Sequence, residues 1–178
     1  GVAPPRGILD LLKWQILRDK KVWPKFRENT AKPELRTESD SNALAVTFIN
    51  HASFLIQTNG LNILTDPIFS NRASPLQWVG PKRSRNPGLT IKDLPRIDLV
   101  LISHNHYDHM DESSIHELQN MFAPLFVVPL GDAKTLQNFG AKNVVELDWW
   151  QSHAVPNSNL IVTLTPVQHW SSRSPFDR

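Results

Sequence analysis

The chain has 178 residues, enough for one domain, and its 40% hydrophobic and 20% charged fractions are those of a folded globular protein. With 19 Lys and Arg against 17 Asp and Glu the net charge is +2, too weak a field to argue for nucleic acid. Cysteine is absent, which excludes disulfides and thiolate metal sites, and no apolar run approaches the roughly 18 residues of a membrane span. No leader pattern is visible, a start at Gly1 is compatible with earlier trimming, and either a cytoplasmic or an envelope-associated location fits.

Residues 1–42 read as an extension outside the main domain. Residues 8–20 have helical patterning, with Ile8, Leu9, Leu11, Leu12, Trp14, Ile16 and Leu17 covering more than half of the circumference. Such a helix packs on the domain or on a partner, or lies on a membrane surface with Lys13, Arg18, Lys20 and Lys21 towards headgroups. Trp23-Pro24 ends the pattern, and residues 28–42 are polar enough for a linker.

A strand is expected over residues 45–49. Ser53–Thr58 and Leu61–Thr65 then flank Asn59-Gly60, the pair that favours the positive φ angles of a type I′ hairpin turn. Asp66 closes the second of these strands, where a carboxylate is either a turn residue or part of a site. Residues 68–96 carry little periodicity. There Arg72, Lys82, Arg83 and Arg85 alternate with Phe69, Leu76 and Trp78. This stretch reads as a solvated loop or as one wall of a cleft, with its cations on a phosphate and its apolar groups on an acyl or other organic group.

Residues 97–102 form a short run of branched aliphatics that reads as a buried strand. Directly after it stands Ser103-His104-Asn105-His106-Tyr107-Asp108-His109, three imidazoles and a carboxylate in six positions. In an extended segment His104 and His106 project to the same side. Asp108 and His109 follow where the chain turns and face a second position a few Å away. That layout suits two metal ions roughly 3.5–4 Å apart.

Beyond the turn a helix is expected over residues 112–121, whose His116 reads as a surface residue. Leu125–Pro129 is a short buried strand, Gly131-Asp132 a cap for a helix over residues 133–139, and Gly140 its stop. Asn143–Leu147 is another strand, Trp149-Trp150 opens an irregular piece, and His153 has no evident partner. A strand over residues 160–165 ends at Pro166, which places His169 just past a strand end, as the first histidine pair is.

The histidine turn resembles the metal-binding signature of the metallo-β-lactamase superfamily. Asn50-His51-Ala52-Ser53-Phe54-Leu55-Ile56, Leu64-Thr65-Asp66-Pro67, Gly80-Pro81-Lys82-Arg83 and Pro166-Val167-Gln168-His169-Trp170 are similar to the branch that contains N-acyl-phosphatidylethanolamine-hydrolysing phospholipase D and its bacterial relatives. The resemblance runs from about Ala43 to the end of the chain and implies an α/β fold, the αββα sandwich. It implies metal ligation by His104, His106, Asp108, His109 and His169, with Asp66 and His51 supporting the turn by hydrogen bonds. Asp108 would also hold the nucleophile and manage its proton. Arg72, Trp78, Lys82, Arg83 and Arg85 would then contact substrate.

The implied cofactor is zinc, two ions per complete domain, bound by imidazoles at about 2.0–2.1 Å; the ligand types admit manganese or iron as well. The implied activity is attack of a metal-bound hydroxide on a phosphodiester such as a phospholipid. The alternatives are a lactonase or other acyl hydrolase of the same superfamily, and a non-catalytic envelope-associated binding module. The family's bridging aspartate and final histidine lie downstream of the third motif and are not in these 178 residues. The chain is therefore expected to be the N-terminal half of the sandwich, with partial or no metal occupancy by itself. Its partner would be the missing C-terminal half or a second copy of itself.

Overall fold

The computed structural model describes residues 8–19, 24–35, 43–169, 171 and 173. In chain order it contains α1 (Ile8–Leu17), β1 (Ala45–Asn50), β2 (Ser53–Thr58), β3 (Leu61–Thr65), β4 (Leu99–Leu101), α2 (Glu112–Phe122), β5 (Leu125–Pro129), α3 (Ala133–Asn138), β6 (Asn143–Leu147), β7 (Ser152–Ala154) and β8 (Ile161–Thr163). Strands β1 to β6 lie in that order in one sheet. The first three are antiparallel neighbours, and β3 to β6 run parallel. Asn59 and Gly60 have φ of 49° and 74°, as the hairpin signal requires.

Period-two alternation divides the apolar residues between two faces. Leu64, Val100, Phe126 and Val128 pack with Ile115 and Leu118 of α2 and Leu136 of α3. Ile63, Leu99 and Val127 face the other way and meet Leu147 and Val155. Burial on both faces explains why the central parallel strands read as unbroken apolar runs. Each such side chain contributes about 1.5–3 kcal/mol on leaving water.

Parallel strands need crossovers, and these place the chemistry. Helix α2 connects β4 to β5, and residues 66–98 connect β3 to β4. The C-terminal ends of β3 and β4 therefore sit side by side and deliver Asp66 and the histidine turn to one edge, the usual location of a site in an open α/β sheet. Asp111 stops the turn by capping α2: its carboxylate accepts from Ser114 N at 3.2 Å and from Ser70 Oγ at 2.6 Å.

Several local expectations change. The strand over 97–102 narrows to Leu99–Leu101, and that over 160–165 to Ile161–Thr163. The irregular piece after Trp150 contains β7, which pairs antiparallel with β8 and sets His153 opposite Val162. Asp132 does not cap α3 with its side chain. Glu146 from β6 accepts from Gly131 N and Ala133 N at 2.9 and 2.8 Å instead, because Asp132 is drawn to Asn105. Helix α1 ends at Leu17, and Lys20, Lys21, Trp23, residues 36–42 and Trp170 lie outside the described residues. Part of the expected linker is packed: Asn29 Nδ2 donates to Asn86 O at 2.9 Å and Leu35 rests on the core, and just before it Arg27 N donates to Ser84 O at 2.7 Å.

Candidate metal centre

Asp66 organises the site from below. It is buried and has φ of 36°, a left-handed conformation that turns its carboxylate under the histidine turn. Its main chain is tied to Leu101 O by N–H donation at 2.9 Å and accepts from Ser53 Oγ at 2.6 Å. The carboxylate accepts from Ser103 N and Ser103 Oγ, both at 2.7 Å, and contacts His109 Nδ1 at 2.9 Å.

These contacts set ring tautomers. Asp66 carries the acceptor oxygen, so His109 Nδ1 bears a proton and Nε2 is the nitrogen that faces the site. The single Ser103 hydroxyl proton goes to Asp66, so Ser103 Oγ accepts from His104 Nδ1 at 2.9 Å. His104 Nε2 is thereby left with a lone pair. It is buried and has no hydrogen-bond partner among the described residues, which is the condition of a nitrogen waiting for a ligand rather than for a proton.

Three imidazoles converge. Ring centroids lie 4.6 Å apart for His104 and His106, 4.4 Å for His104 and His169, and 4.7 Å for His106 and His169. One nitrogen from each lies within 4.8 Å of the others. Beside them, His51, Asp108 and His109 form a second group with the same spread of donor atoms. His51 Nε2 is 2.9 Å and His109 Nε2 3.7 Å from Asp108 Oδ2. The two groups adjoin through His104 and His109, whose ring centroids are 4.0 Å apart.

Electrostatics separate the groups. Burial pushes His104 down to a pKa of about 4, helped by the neighbouring His109, His106 and His169. The ring is therefore neutral at pH 7 and able to ligate. His109 also suffers from burial, yet its bond to Asp66 and the charges of Asp66 and Asp108 prevail and raise its pKa. Three imidazoles in one cluster, and two imidazoles with a carboxylate in the other, are a donor set that suits borderline divalent ions.

A cleft of about 1300 Å³ opens from His51 and Asp108 between β1, residues 24–34 and residues 68–88. Lys82, Arg83 and Arg85 line it, as does Arg27. Arg72 and Trp78, expected with them, are not among its lining residues; Arg72 Nη1 donates to Gly80 O at 2.5 Å, and Trp78 is exposed elsewhere on the loop. Arg83 is half-buried and donates to Ser70 O and Ile68 O, so its guanidinium braces the cleft wall. His116 is exposed, as expected.

Sequence reasoning gave no role to the residues that hold the turn from its outer side. Arg173 Nε donates to Asn105 O at 2.6 Å, and its Nη2 reaches Met110 O. Its guanidinium lies 4.6 Å from the Tyr107 ring centroid and 5.2 Å from that of Phe139. Ser171 Oγ donates to Asn105 Oδ1 at 2.9 Å, and Asn105 Nδ2 to Asp132 Oδ1 at 2.8 Å. The segment just past His169 is thus fastened to the turn that carries His104 and His106. Only the proximity of 169 and 173 in sequence hinted at this.

A mixed sheet with crossover helices in its parallel half and a histidine-carboxylate cluster at its strand ends has the form of a metal-binding α/β protein. Residues 61–178 match the beta-lactamase superfamily domain, and the chain belongs to that family. It is 37% identical over 171 residues to an uncharacterised protein of Mycobacterium tuberculosis, covering 94% of this chain and 45% of that protein. It is 40% identical over 121 residues to the mitochondrial N-acyl-phosphatidylethanolamine-hydrolyzing phospholipase D of Saccharomyces cerevisiae, covering 67% of this chain and 26% of that enzyme. Among solved structures, a diiron β-hydroxylase from Streptomyces venezuelae superposes with a TM-score of 0.53 at 26% identity, over 72% of this chain and 25% of that one. A metallo hydrolase from Ignicoccus hospitalis gives 0.54 at 20% identity, over 73% and 51%, and shares the fold. The chain thus spans less than half the length of these curated relatives, and the described residues hold a six-stranded sheet with its helix layer and the two-stranded sheet β7–β8.

Proposed function

We propose that this chain carries the metal-holding half of a hydrolase that cleaves phosphodiesters, with a phospholipid as the substrate class. The observation that carries the reading is the pair of donor groups meeting above Asp66 and opening on a cleft with Lys82 and Arg85 in its wall. His104, His106 and His169 would hold one divalent ion, and Asp108 and His109 would contribute to a second, zinc by donor type. Ions so held supply Lewis acidity and make a water nucleophilic near neutral pH. The residues supply the rest. Asp108 lies at the cleft end, within reach of His51 and His109, where its carboxylate can orient the attacking water and take its proton. Lys82 and Arg85 neutralise a bound phosphate. The relatives named for N-acyl-phosphatidylethanolamine hydrolysis support this substrate class.

Val46 and Phe48 of β1 are 56% and 57% exposed on the sheet face away from the helices. A further segment supplying the second sheet would cover them, and the greater length of the relatives supports that companion. Leu9, Trp14, Ile16 and Leu17 of α1 are exposed too, which supports peripheral contact with a lipid surface. Among the described residues no helix is long and apolar enough to cross a membrane.

The test is hydrolysis of N-acylphosphatidylethanolamine and of a lactone by the chain joined to its companion half. Phosphodiester cleavage abolished in His106→Ala, with KM raised several-fold (~1 kcal/mol in binding) in a Lys82→Ala, Arg85→Ala double variant, is expected. Lactone cleavage indifferent to those cations would overturn the substrate class.

A further inference from the structure

The resemblance gives His51 at most a supporting hydrogen bond, but its surroundings give it more. We propose that His51 is itself a metal ligand, and that His51, Asp108 and His109 form a three-donor site for the second divalent ion within this chain. The proposal rests on the metal reading above and extends it to a residue that lies in the β1–β2 turn, outside the histidine motif.

The first support is distance. Two donors bound to one ion at about 2.1 Å sit about 3.0 Å apart at a right angle and about 3.7 Å apart when the angle opens towards trigonal. His51 Nε2 and His109 Nε2 stand 2.9 and 3.7 Å from Asp108 Oδ2. All three donor atoms fall within 4.8 Å of one another. Asp66 holds His109 from its other nitrogen, and the His51–Asp108 contact then completes a group whose three donor atoms share one small space.

The second support is ring orientation. His109 is held by Asp66 through Nδ1, which commits its Nε2 to the cluster. The His51 and His109 rings meet edge-on with centroids 5.1 Å apart. One donor nitrogen of each ring lies within 4.8 Å of the other and of the Asp108 carboxylate.

The third is the backbone. His51 has φ of 43°, in the left-handed region that His, Asn and Asp enter more readily than other non-glycine residues. It occurs where the β1–β2 register shifts between Phe48 and Asn50, and the turn is pinned by Asn50 Nδ2 donating to Ile68 O at 3.0 Å. A bulge of this kind re-aims a side chain, and here it turns an imidazole towards Asp108.

The experiment is competitive titration of the 178-residue chain with Zn(II) against a chromophoric chelator, with the His104, His106 and His169 ring nitrogens followed by NMR as an independent reading of the first ion. The wild type should take up two ions. His51→Asn and His51→Gly both tolerate the left-handed turn, so they should keep the first ion, with its NMR shifts intact, and bind the second about 100-fold more weakly. Retention of the first ion shows that the variant is folded. Unchanged uptake of two ions by both variants, or uptake of fewer than two by the wild type, would overturn the assignment of His51. Loss of the NMR response of the first triad in the wild type would instead overturn the underlying metal reading.

Discussion

One seven-residue turn carries two imidazoles of opposite electrostatic character, one in each donor group. His104, with His106 and His169 beside it, is held neutral by burial and by its imidazole neighbours, whereas His109, two carboxylates away from that fate, is drawn towards the charged form. The same buried Asp66 reaches both, directly at His109 and through Ser103 at His104. The difference teaches that ligand identity comes from the motif, while readiness to bind comes from what lies beneath it.

Asp66→Asn breaks the comparison most severely. The carboxylate accepts from Ser103 N on Oδ1 and from Ser103 Oγ and His109 Nδ1 on Oδ2. An amide has one accepting oxygen and sets its NH2 against the remaining donors, so the support that fixes both ring tautomers is lost. Affinity for both ions should fall about 10- to 100-fold, as measured by chelator competition, and His109 should return towards an ordinary histidine pKa. Equal loss at the two positions fits a shared support; loss at one alone would contradict it.

Arg173→Met separates the groups instead. It removes the donors to Asn105 O and Met110 O and the contact with Tyr107. Two carbonyls lose charged partners, so the unfolding free energy should drop by about 1–3 kcal/mol in urea titration. The first ion should weaken more than the second, because Arg173 ties the His169 segment to the turn.

The mildest perturbation is pH. His104 has its pKa depressed, so the unfolded chain takes up this proton near 6.5 and the folded chain only near 4. Its contribution to stability is therefore present above 6.5 and lost as pH falls through about 4. His109 has its pKa raised, so its contribution is full below 6.5 and is lost as pH rises through its folded value. The two oppose each other in a global melt. Ring-resolved NMR of the metal-free chain should show His104 unprotonated at pH 5 and His109 still protonated above pH 6.5; the reverse order would refute the electrostatic account.

The parts legible from sequence were those set by short-range chemistry. Asn59-Gly60 imposes its turn, and alternation in β3 and β4 puts Asp66 and His104 at neighbouring strand ends. The parts that were not legible depend on groups remote in sequence. Glu146 replaces Asp132 as the cap of α3 because β6 lies beside the helix start, and Arg27 lines the cleft because residues 24–35 pack against residues 84–87. Arg72 and Trp78 matched the expected composition of a cleft wall, but composition does not say which side of a loop faces the site. His51 lies 57 positions from Asp108, too far for spacing to suggest contact, and only the bulged turn brings them together.

The central claim is that His104, His106 and His169 share one ion. Long-range proton–nitrogen correlation of the imidazoles during addition of the first equivalent of Zn(II) tests it directly. Coordinated shifts of one nitrogen from each of the three rings are predicted. A titration in which His104 and His106 respond and His169 does not would contradict the account.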